Sequence, residues 1–484
     1  MRATLGACLV AGALLTANGA AAASAVATQP TTGHPDLSVT VSGTAFGASE
    51  AVDVYLDTVD MSLLVTNASG AFSGKLQIPA SAGPGDHTVT AVGRRSGDAA
   101  QSTFTVTTPW LQHGYGGAHL GFNPYENTIS SATAPQLGVL WSRKLQSTGG
   151  TPIISGGILY HGTATGVQAV NAATGAVLWG NAKTEQFYSS PALANGVLYA
   201  ASYSGTVYAM NAATGAPTWK VKLSDAFYSS PTVVNGVVYV ASNAGVLYAL
   251  NAANGRQIWS YTAGQFDTTP AVANGMVYIG SRNNTMYALD AATGAVVWSY
   301  TVGGEIESTA AVANNTVIFG ADDNKVYALD AAGGSFAWSY TTGDPVYGAP
   351  AVANGLVYVG SSDGTLSALT LQNGSLRWSD TLGGLVRGPV VAGGVVYVSS
   401  DSGYTSVVDA TYGYLLTTIR PGRSYFGTPA VSDGVLYVDS QFSRTTALAL
   451  KAGTNAMPAH RRAPDPSTLV PDQALVAAAP TPDD

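Results

Sequence analysis

The sequence has very little cysteine and few charged residues. Its 484 residues include one cysteine, Cys8, and Asp, Glu, Lys and Arg together make up 10% of the chain. A single thiol excludes an intrachain disulfide and any metal site built from several thiolates. The 28 acidic side chains outnumber the 20 basic ones, and the resulting net charge of −8 opposes contact with a phosphate backbone. We therefore expect no nucleic-acid partner.

Long apolar runs are absent beyond the N-terminal segment, so we expect no membrane span in the mature chain. Residues 1–27 combine Arg2, an apolar run over 5–15 and small residues around Ser24, which is typical of a secretory signal peptide. Cys8 lies inside that segment, so its removal also removes any cysteine nucleophile. We predict a secreted, monomeric protein without cysteine.

Tryptophan, in contrast, recurs with a fixed period of 38 to 40 residues. The seven positions are Trp141, Trp179, Trp219, Trp259, Trp298, Trp338 and Trp378. A proline that opens an apolar stretch recurs in step from Pro152 to Pro429, with Ala310 at the one position that lacks it. Together these landmarks count eight units, and a repeat of about 40 residues is typical of a β-propeller.

Each unit reads as four short strands. In the stretch 270–298, apolar runs are separated by Asn274-Gly275, by a polar turn and by Thr293-Gly294. Asn-Gly favours a tight hairpin, because both residues of such a turn need positive φ. One four-stranded sheet leaves its faces uncovered, so neighbouring sheets must stack around a ring. The prediction is an all-β fold with an eight-bladed β-propeller over residues 138–452.

The two ends of the repeat region predict how the ring closes. Residues 138–145, which contain Trp141, form a fourth strand with no three strands before it. The last unit, 429–450, has three strands and then stops. We therefore expect these two segments to complete one blade.

A longer motif points to a family. Tyr-Ala-Leu-Asp-Ala-Ala-Thr-Gly at 287–294 is followed by Trp298, and similar segments occupy 208–219, 248–259 and 327–338. The pattern resembles the PQQ-like propeller repeat of quinoprotein dehydrogenases and of the outer-membrane assembly lipoprotein BamB. The resemblance implies that the seven recurring tryptophans dock adjacent blades against each other. One repeat departs from it, with Ile419 near the expected tryptophan position.

That family holds both enzymes and binding proteins, so three functions stay open. A quinoprotein-like oxidoreductase would bind PQQ and calcium, but the adjacent-cysteine disulfide and the long insertions of those enzymes are missing. We therefore expect no cofactor, no metal site and no catalytic residues. A BamB-like assembly platform usually carries a lipid anchor, which we do not expect here. The preferred prediction is a secreted, non-catalytic binding or scaffold protein, not an enzyme.

Three other segments differ from the repeat. Residues 36–108 alternate apolar and polar positions between regular turns, which predicts a small immunoglobulin-like β-sandwich. Residues 109–137 form an aperiodic lead-in, in which His113 and His119 could ligate a metal with Glu126 but are expected to be plain surface contacts. Residues 453–484, rich in Pro and Ala, predict a disordered tail.

The face around the central channel is the predicted binding site. The loop before each innermost strand opens onto that face, and counting three residues back from each strand-opening position gives a ring of aromatic and acidic side chains, with Arg387 beside Val386. The predicted binding residues are Tyr188, Tyr228, Asp267, Glu307, Tyr347, Arg387 and Phe426. Such a ring suits an extracellular glycan, peptide or protein. The alternative is that the aromatics only fill the channel, with the carboxylates solvated.

Asp267 and Glu307 belong to neighbouring repeats and could act as an acid and base pair or hold calcium. No histidine or lysine of the predicted ring supports them in that chemistry.

Overall fold

The computed structural model describes residues 22–182, 185–223, 226–420, 427–440 and 444–451, and its regular structure is almost entirely β-strand. Within these residues the one helix is a short 3-10 turn, Ala134–Gln136, and no helix has the length and apolar character needed to cross a bilayer. Most of the predicted signal peptide and the predicted tail, 453–484, lie outside the described residues.

The N-terminal unit is a sandwich of two sheets, which confirms the predicted immunoglobulin-like architecture. One sheet contains Ala25–Gln29, Ser38–Thr44 and Phe72–Gln77. The other contains, in spatial order, Thr32–Gly33, Ala99–Val106, Gly85–Gly93, Ala51–Leu56 and Val59–Val65. Alternate side chains such as Val39, Leu76 and Phe104 are fully buried between the sheets and form their common core.

The sandwich begins earlier than the predicted start at residue 36. Its first strand, Ala25–Gln29, pairs antiparallel with Ser38–Thr44 and overlaps the end of the segment 1–27 that the sequence assigned to a signal peptide. The inward-facing residues of this strand are Val26 and Thr28. One small aliphatic and one hydroxyl side chain give too weak a hydrophobic alternation for the strand to be recognised from sequence.

The described residues of the repeat region form eight four-stranded sheets, called blades 1 to 8 in the order of their innermost strands. The innermost strands are Ile153–Ser155, Ala192–Ala194, Thr232–Val234, Ala271–Ala273, Ala311–Ala313, Ala351–Ala353, Val390–Ala392 and Ala430–Ser432. The second strands are Ile158–Thr163, Val197–Ala201, Val237–Ala241, Met276–Ser281, Thr316–Ala321, Leu356–Gly360, Val395–Ser399 and Val435–Asp439.

The third strands are Gly166–Asn171, Thr206–Asn211, Val246–Asn251, Thr285–Asp290, Lys325–Asp330, Thr365–Thr370, Thr405–Asp409 and Thr445–Leu450. The outer strands are Val177–Ala182, Pro217–Lys222, Gln257–Thr262, Val296–Thr301, Phe336–Thr341, Leu376–Thr381, Leu415–Ile419 and, for blade 8, Leu137–Arg143. Blade 7 gains a short fifth strand, Phe122–Asn123, on its inner edge.

Local sequence sets where these strands turn. Between the first and second strands of blade 4, Asn274 and Gly275 have φ of 52° and 75°, the left-handed pair that a tight hairpin requires. Contacts then link the innermost strands of blades 2 to 7 in succession, and that of blade 8 touches that of blade 1. This radial order confirms the predicted propeller.

The ring closes as the sequence predicts. Leu137–Arg143 pairs antiparallel with Thr445–Leu450, so a strand from the start of the repeat region completes the last blade. Trp141 lies opposite Ala447 in this pairing, next to a β-bulge. Closure by distant segments removes the free edge that an incomplete blade would expose.

The recurring tryptophans each reach into the next blade. Trp298 of blade 4, for example, donates its indole N–H to the carbonyl of Ala331 in blade 5, at 2.9 Å. Tyr278 of blade 4 donates its hydroxyl to the same carbonyl at 3.1 Å. The equivalent indoles at 141, 179, 219, 259, 338 and 378 repeat the bond at 2.8–3.1 Å. At these seven interfaces an indole hydrogen bond therefore accompanies the apolar contacts between adjacent blades, such as those around Trp298.

Blade 7 lacks this tryptophan. The strand register aligns Val407 with Thr417, the pairing that Ala368 makes with Trp378 in blade 6. Thr417, not Ile419, therefore stands at the tryptophan position. Thr417 follows Trp378 by 39 residues, so a repeat of 40 points one residue too far along the chain, and Ile419 lies two residues too far.

The lead-in contains a segment, residues 110–123, that follows the inner ring; we call it the strap. The second residue of each innermost strand bonds to it in turn. The amide nitrogens of these residues donate to the strap at Ile154, Leu193, Val233, Val272, Val312, Val352 and Val391, over 2.7–3.0 Å. In blade 8 the direction reverses, because Asn123 donates its side-chain amide to the carbonyl of Val431 at 2.9 Å. The strap thus contacts all eight blades and closes one end of the channel.

Residues on either side of the strap join the sandwich to the propeller. Thr108, at the end of the sandwich, donates its backbone N–H to Asp433 of blade 8 at 2.7 Å. Glu126 accepts the Gly434 N–H at 2.9 Å and the Thr108 hydroxyl at 3.0 Å. Glu126 is 3% exposed, so these bonds form in the interior. The buried polar cluster fixes the sandwich at the strap end of the propeller.

Candidate functional site

The opposite end of the channel, which we call the mouth, is where the loops before the innermost strands meet the turns between second and third strands. Six predicted binding residues occupy equivalent positions there, each directly after a buried apolar residue. These pairs are Phe187-Tyr188, Phe227-Tyr228, Phe266-Asp267, Ile306-Glu307, Val346-Tyr347 and Val386-Arg387. Phe426 lies outside the described residues.

Arg387, not Val386, occupies the ring position in blade 7. Val386 donates its N–H to Ser361 as Val346 does to Ala321, and it is 1% exposed. Blade 7 has one residue fewer between its ring residue and its strand-opening Pro389, so counting back from the proline selected the wrong residue.

Blades 2 and 3 give the mouth an aromatic side. Tyr188, Tyr203 and Tyr228 form a cluster whose ring centroids are 5.4–5.8 Å apart. Tyr203 and Tyr228 are each 43% exposed, so large aromatic faces meet solvent. A hydrogen bond with Tyr203 is the main reason that the pKa of Tyr228 rises to about 12. The Tyr228 phenol therefore stays neutral at physiological pH and can donate a hydrogen bond, and the exposed rings of the cluster offer stacking surfaces.

Blades 4 and 5 give the mouth a charged side. Arg282, from the turn between the second and third strands of blade 4, contacts three carboxylates: Asp267 through Nε, Glu307 at 2.7 Å and Glu305 at 3.5 Å. Asp322 lies close to Glu305 and Glu307, with one oxygen of each carboxylate within 4.8 Å of the others. Four acids against one arginine leave this side negative.

The environment of these carboxyls raises some of their pKa values. Burial raises the pKa of Glu307, although Arg282 opposes the rise, and it also raises the pKa of Asp322 with a further contribution from Glu305. Beyond them, burial raises the pKa of Tyr347 and lowers that of Arg387. The charge at this side therefore responds to pH within the acidic range.

Below the mouth, hydroxyl groups connect blades 2 to 5. The N–H of Ser190 donates to Ser230 Oγ at 3.0 Å, the N–H of Ser230 to Thr269 Oγ1 at 3.1 Å, and the N–H of Thr269 to Thr309 Oγ1 at 3.1 Å. This belt supports the ring residues from beneath. It ends at blade 6, where alanine, Ala349, takes the equivalent position.

Within the strap, the histidines are not the surface contacts that the sequence predicted. His119 is 1% exposed and its Nε2 bonds to Thr232 Oγ1 at 3.0 Å. His113 Nδ1 bonds to Thr151 Oγ1 at 3.1 Å, and the two imidazole centroids are 5.6 Å apart. Glu126 does not join them, because its oxygens accept from Gly434, Thr108 and Thr128. The tight inward course of the strap, invisible in its aperiodic sequence, buries His119 and partly buries His113.

Two cavities, of about 520 and 640 Å³, lie at the sandwich junction instead of the mouth. They are lined mainly by apolar side chains and backbone, for example Leu140, Tyr437, Leu193 and Tyr115. Neither cavity brings together several charged groups, whereas the mouth has both an aromatic side and a charged side. The mouth therefore remains the candidate site.

The fold and the mouth together define a PQQ-like β-propeller with an immunoglobulin-like sandwich at its strap end. The chain belongs to the family of the outer membrane protein assembly factor BamB, whose profile matches residues 163–269 and 262–457. A macroglobulin-like domain profile matches residues 21–106. No curated protein matches the chain.

Solved structures with the same fold include BamB from Moraxella catarrhalis, which is 21% identical with a TM-score of 0.58, over 65% of this chain and 98% of that one. Quinohemoprotein alcohol dehydrogenase from Comamonas testosteroni is 16% identical with a TM-score of 0.62, over 72% and 82% of the two chains. A europium-containing methanol dehydrogenase is 14% identical with a TM-score of 0.62, over 71% and 98%. At these identities the likeness concerns the fold.

The mouth does not fit PQQ and calcium. Arg282 already lies among the carboxylates that a calcium ion would need, and a cation there would have to displace its guanidinium from Asp267 and Glu307. The sequence also offers no adjacent cysteines to place beside a quinone. Arg282 also contacts both Asp267 and Glu307, and so it stands between the two carboxyls that the sequence offered as an acid and base pair.

Sequence reasoning did not assign four residues of the mouth to the binding site, namely Tyr203, Arg282, Glu305 and Asp322. Tyr203, Arg282 and Asp322 lie in turns between second and third strands, and Glu305 lies two residues before Glu307. The signal was available for the turns, because they share a face with the ring. Which of them reach inward depends on side-chain contacts that spacing does not encode.

Proposed function

We propose that this chain is a secreted, non-catalytic binding protein that holds a peptide or protein segment at the mouth of its propeller. The observation that carries the proposal is the pairing of an exposed tyrosine cluster with a negative side on the one end of the channel that the strap leaves open. Family membership supports a protein partner, because the matched family is that of an assembly factor.

The chemistry of the mouth favours a partner with aromatic and basic side chains. Tyr203 and Tyr228 offer stacking faces and cation–π sites, while Glu305 and Asp322 attract ammonium or guanidinium groups. Because the ring residues differ from blade to blade, a ligand is oriented by the mouth and not merely held. A neutral glycan would use the tyrosine side alone.

The test compares two pairs of tyrosines on peptide and glycan arrays. Tyr188→Ala/Tyr228→Ala removes the mouth pair, whose centroids are 5.8 Å apart, and Tyr412→Ala/Tyr414→Ala removes an exposed pair with the same separation in blade 7. We expect the first variant to lose binding at least tenfold and the control to bind as the wild type does.

Salt dependence separates the ligand classes. Binding of a basic peptide should weaken steeply with ionic strength, whereas binding of a neutral glycan should change little. Equal binding by wild type and the Tyr188→Ala/Tyr228→Ala variant would contradict the placement of the site at the mouth.

A further inference from the structure

The pair of histidines inside the strap is not explained by the proposed function. His113 and His119 lie at the closed end of the channel, away from the mouth, and each ring is held through one nitrogen by a threonine of a different blade. Two imidazoles held by different blades, with their centroids 5.6 Å apart, form a preorganised arrangement.

The hydrogen bonds determine the tautomer of His119. The Thr232 hydroxyl donates its proton to the carbonyl of Pro270 at 2.7 Å, so its oxygen can only accept from the histidine. His119 Nε2 therefore carries the hydrogen, and Nδ1 is left with a lone pair. Among the described residues no group donates to this buried Nδ1. A buried acceptor without a partner is costly, and in native proteins it generally has a ligand, a water or an ion.

His113 supplies a second nitrogen. Its Nδ1 faces Thr151, which leaves Nε2 for another partner. Burial lowers the pKa of His113 to about 4 and the pKa of His119 well below its usual value. Both rings are consequently neutral at physiological pH, the state in which imidazole binds metals.

The separation of the rings suits one shared ion. With a metal–nitrogen bond of about 2.0–2.1 Å and a ring radius of about 1.1 Å, each centroid would lie roughly 3.2 Å from the ion. Two centroids 5.6 Å apart then subtend an angle of about 120° at the ion. Three- and four-coordinate ions bound by imidazole accept such an angle, with the remaining positions left to solvent.

We propose that His113 and His119 bind one late first-row transition-metal ion at the closed end of the channel, through His113 Nε2 and His119 Nδ1. The ligands are two neutral imidazoles without carboxylate or thiolate, a set that suits copper, nickel and zinc and disfavours calcium and magnesium. Copper(II) should bind most tightly of the divalent ions. This departs from the expectation, drawn from sequence, of a chain without metal ligands.

The experiment is a titration of the full-length secreted chain, stripped with EDTA, with Cu(II) and separately with Zn(II). Bound metal is counted after gel filtration. We expect one equivalent of Cu(II) per chain and a weaker equivalent of Zn(II). His119→Gln and His113→Gln should each weaken Cu(II) binding at least tenfold, whereas the control His34→Gln, a partly buried histidine that stacks on Tyr125, should bind as the wild type does.

A second measurement covers the case in which a strap variant fails to fold. In wild-type protein labelled with nitrogen-15, Zn(II) should shift the ring resonances of His119 Nδ1 and His113 Nε2 while the other histidines stay unchanged. The proposal is overturned if no stoichiometric metal binds, if His119→Gln binds Cu(II) as tightly as the wild type does, or if the shifted resonances belong to other histidines.

Discussion

The two ends of the channel are built on different rules. At the strap end, the second residue of the innermost strand donates its N–H to the strap in blades 1 to 7, from Ile154 to Val391. At the mouth, the equivalent position is tyrosine in blades 2 and 3, a carboxylate in blades 4 and 5, tyrosine again in blade 6 and arginine in blade 7. The repeated contact stabilises the ring, because it uses backbone groups of the blades and does not depend on the side chains of a particular blade. The variable position serves recognition, because it gives the mouth an orientation.

The largest predicted difference between the two ends concerns stability. Trp110, the first residue of the strap, is fully buried in the apolar cluster that spans blades 7, 8, 1 and 2. Trp110→Ala should lower the free energy of unfolding by about 3–5 kcal/mol through lost burial and the cavity left behind. Tyr228→Ala at the mouth should change it by no more than about 0.5 kcal/mol. Urea denaturation of the two variants measures both, and a mouth variant as unstable as the strap variant would erase the distinction.

A matched pair of glycines isolates the contact between blades. Gly275 and Gly294 of blade 4 both have φ of 75°, but an added Cβ meets nothing at Gly275 and meets the Trp259 ring at 2.6 Å at Gly294. Gly275→Ala should cost about 1–2 kcal/mol for the left-handed backbone alone. Gly294→Ala should cost about 1–3 kcal/mol more, because the docked tryptophan must move. Thermal unfolding gives the comparison, and equal losses would mean that the tryptophan yields freely.

The pH dependence of stability should carry contributions from both ends. Burial raises the pKa of Glu126 and Asp433 near the strap and of Glu307 and Asp322 at the mouth. The folded protein then keeps protons that the unfolded chain releases, so these groups make stability fall as pH rises from about 4.5 through their folded pKa values.

Two variants and salt assign these contributions. Urea denaturation at a series of pH values gives the change of the unfolding free energy with pH. Glu126→Gln should remove the contribution of the strap end to this change, and Glu307→Gln should remove part of the contribution of the mouth. Added salt should weaken only the mouth part, since its groups are partly exposed. If the free energy of unfolding of the wild-type protein rises with pH in this window, the assignment is contradicted.

The smallest effect is expected at the centre of the charged side. Arg282→Met removes a guanidinium that is 38% exposed, so the loss of unfolding free energy should stay below about 1 kcal/mol. The pKa of Glu307 should nevertheless rise further, because Arg282 holds it down. A carbon-13 titration of the glutamate carboxyls would show this, and an unchanged Glu307 titration would place the arginine elsewhere.

The repeat determines most of what the sequence could predict. Trp141 through Trp378 fixed the period, and the pairing of the segment around Trp141 with 445–450 followed from counting strands. The six described residues of the predicted binding site lie on one face of the propeller for the same reason. These features depend on periodic burial, which a single sequence displays.

The remainder depends on non-periodic contacts. The strap has no hydrophobic period, because its backbone bonds to the blades and its apolar side chains pack against the clusters of several different blades. His119 was therefore expected at the surface and is buried. Arg282 was missed because its role depends on a contact with Glu307 in the neighbouring blade. Ala25–Gln29 was missed because Val26 and Thr28 alternate too weakly with their exposed neighbours.

Native-state hydrogen exchange of equivalent amides tests the central claim, that the strap binds every blade and closes one end of the ring. The amides of Leu193, Val272, Val312, Val352 and Val391 all donate to strap carbonyls. We predict that these amides exchange only on global unfolding, with similar protection in each blade. Exchange at the rate of exposed loop amides at any of them would contradict a continuous strap.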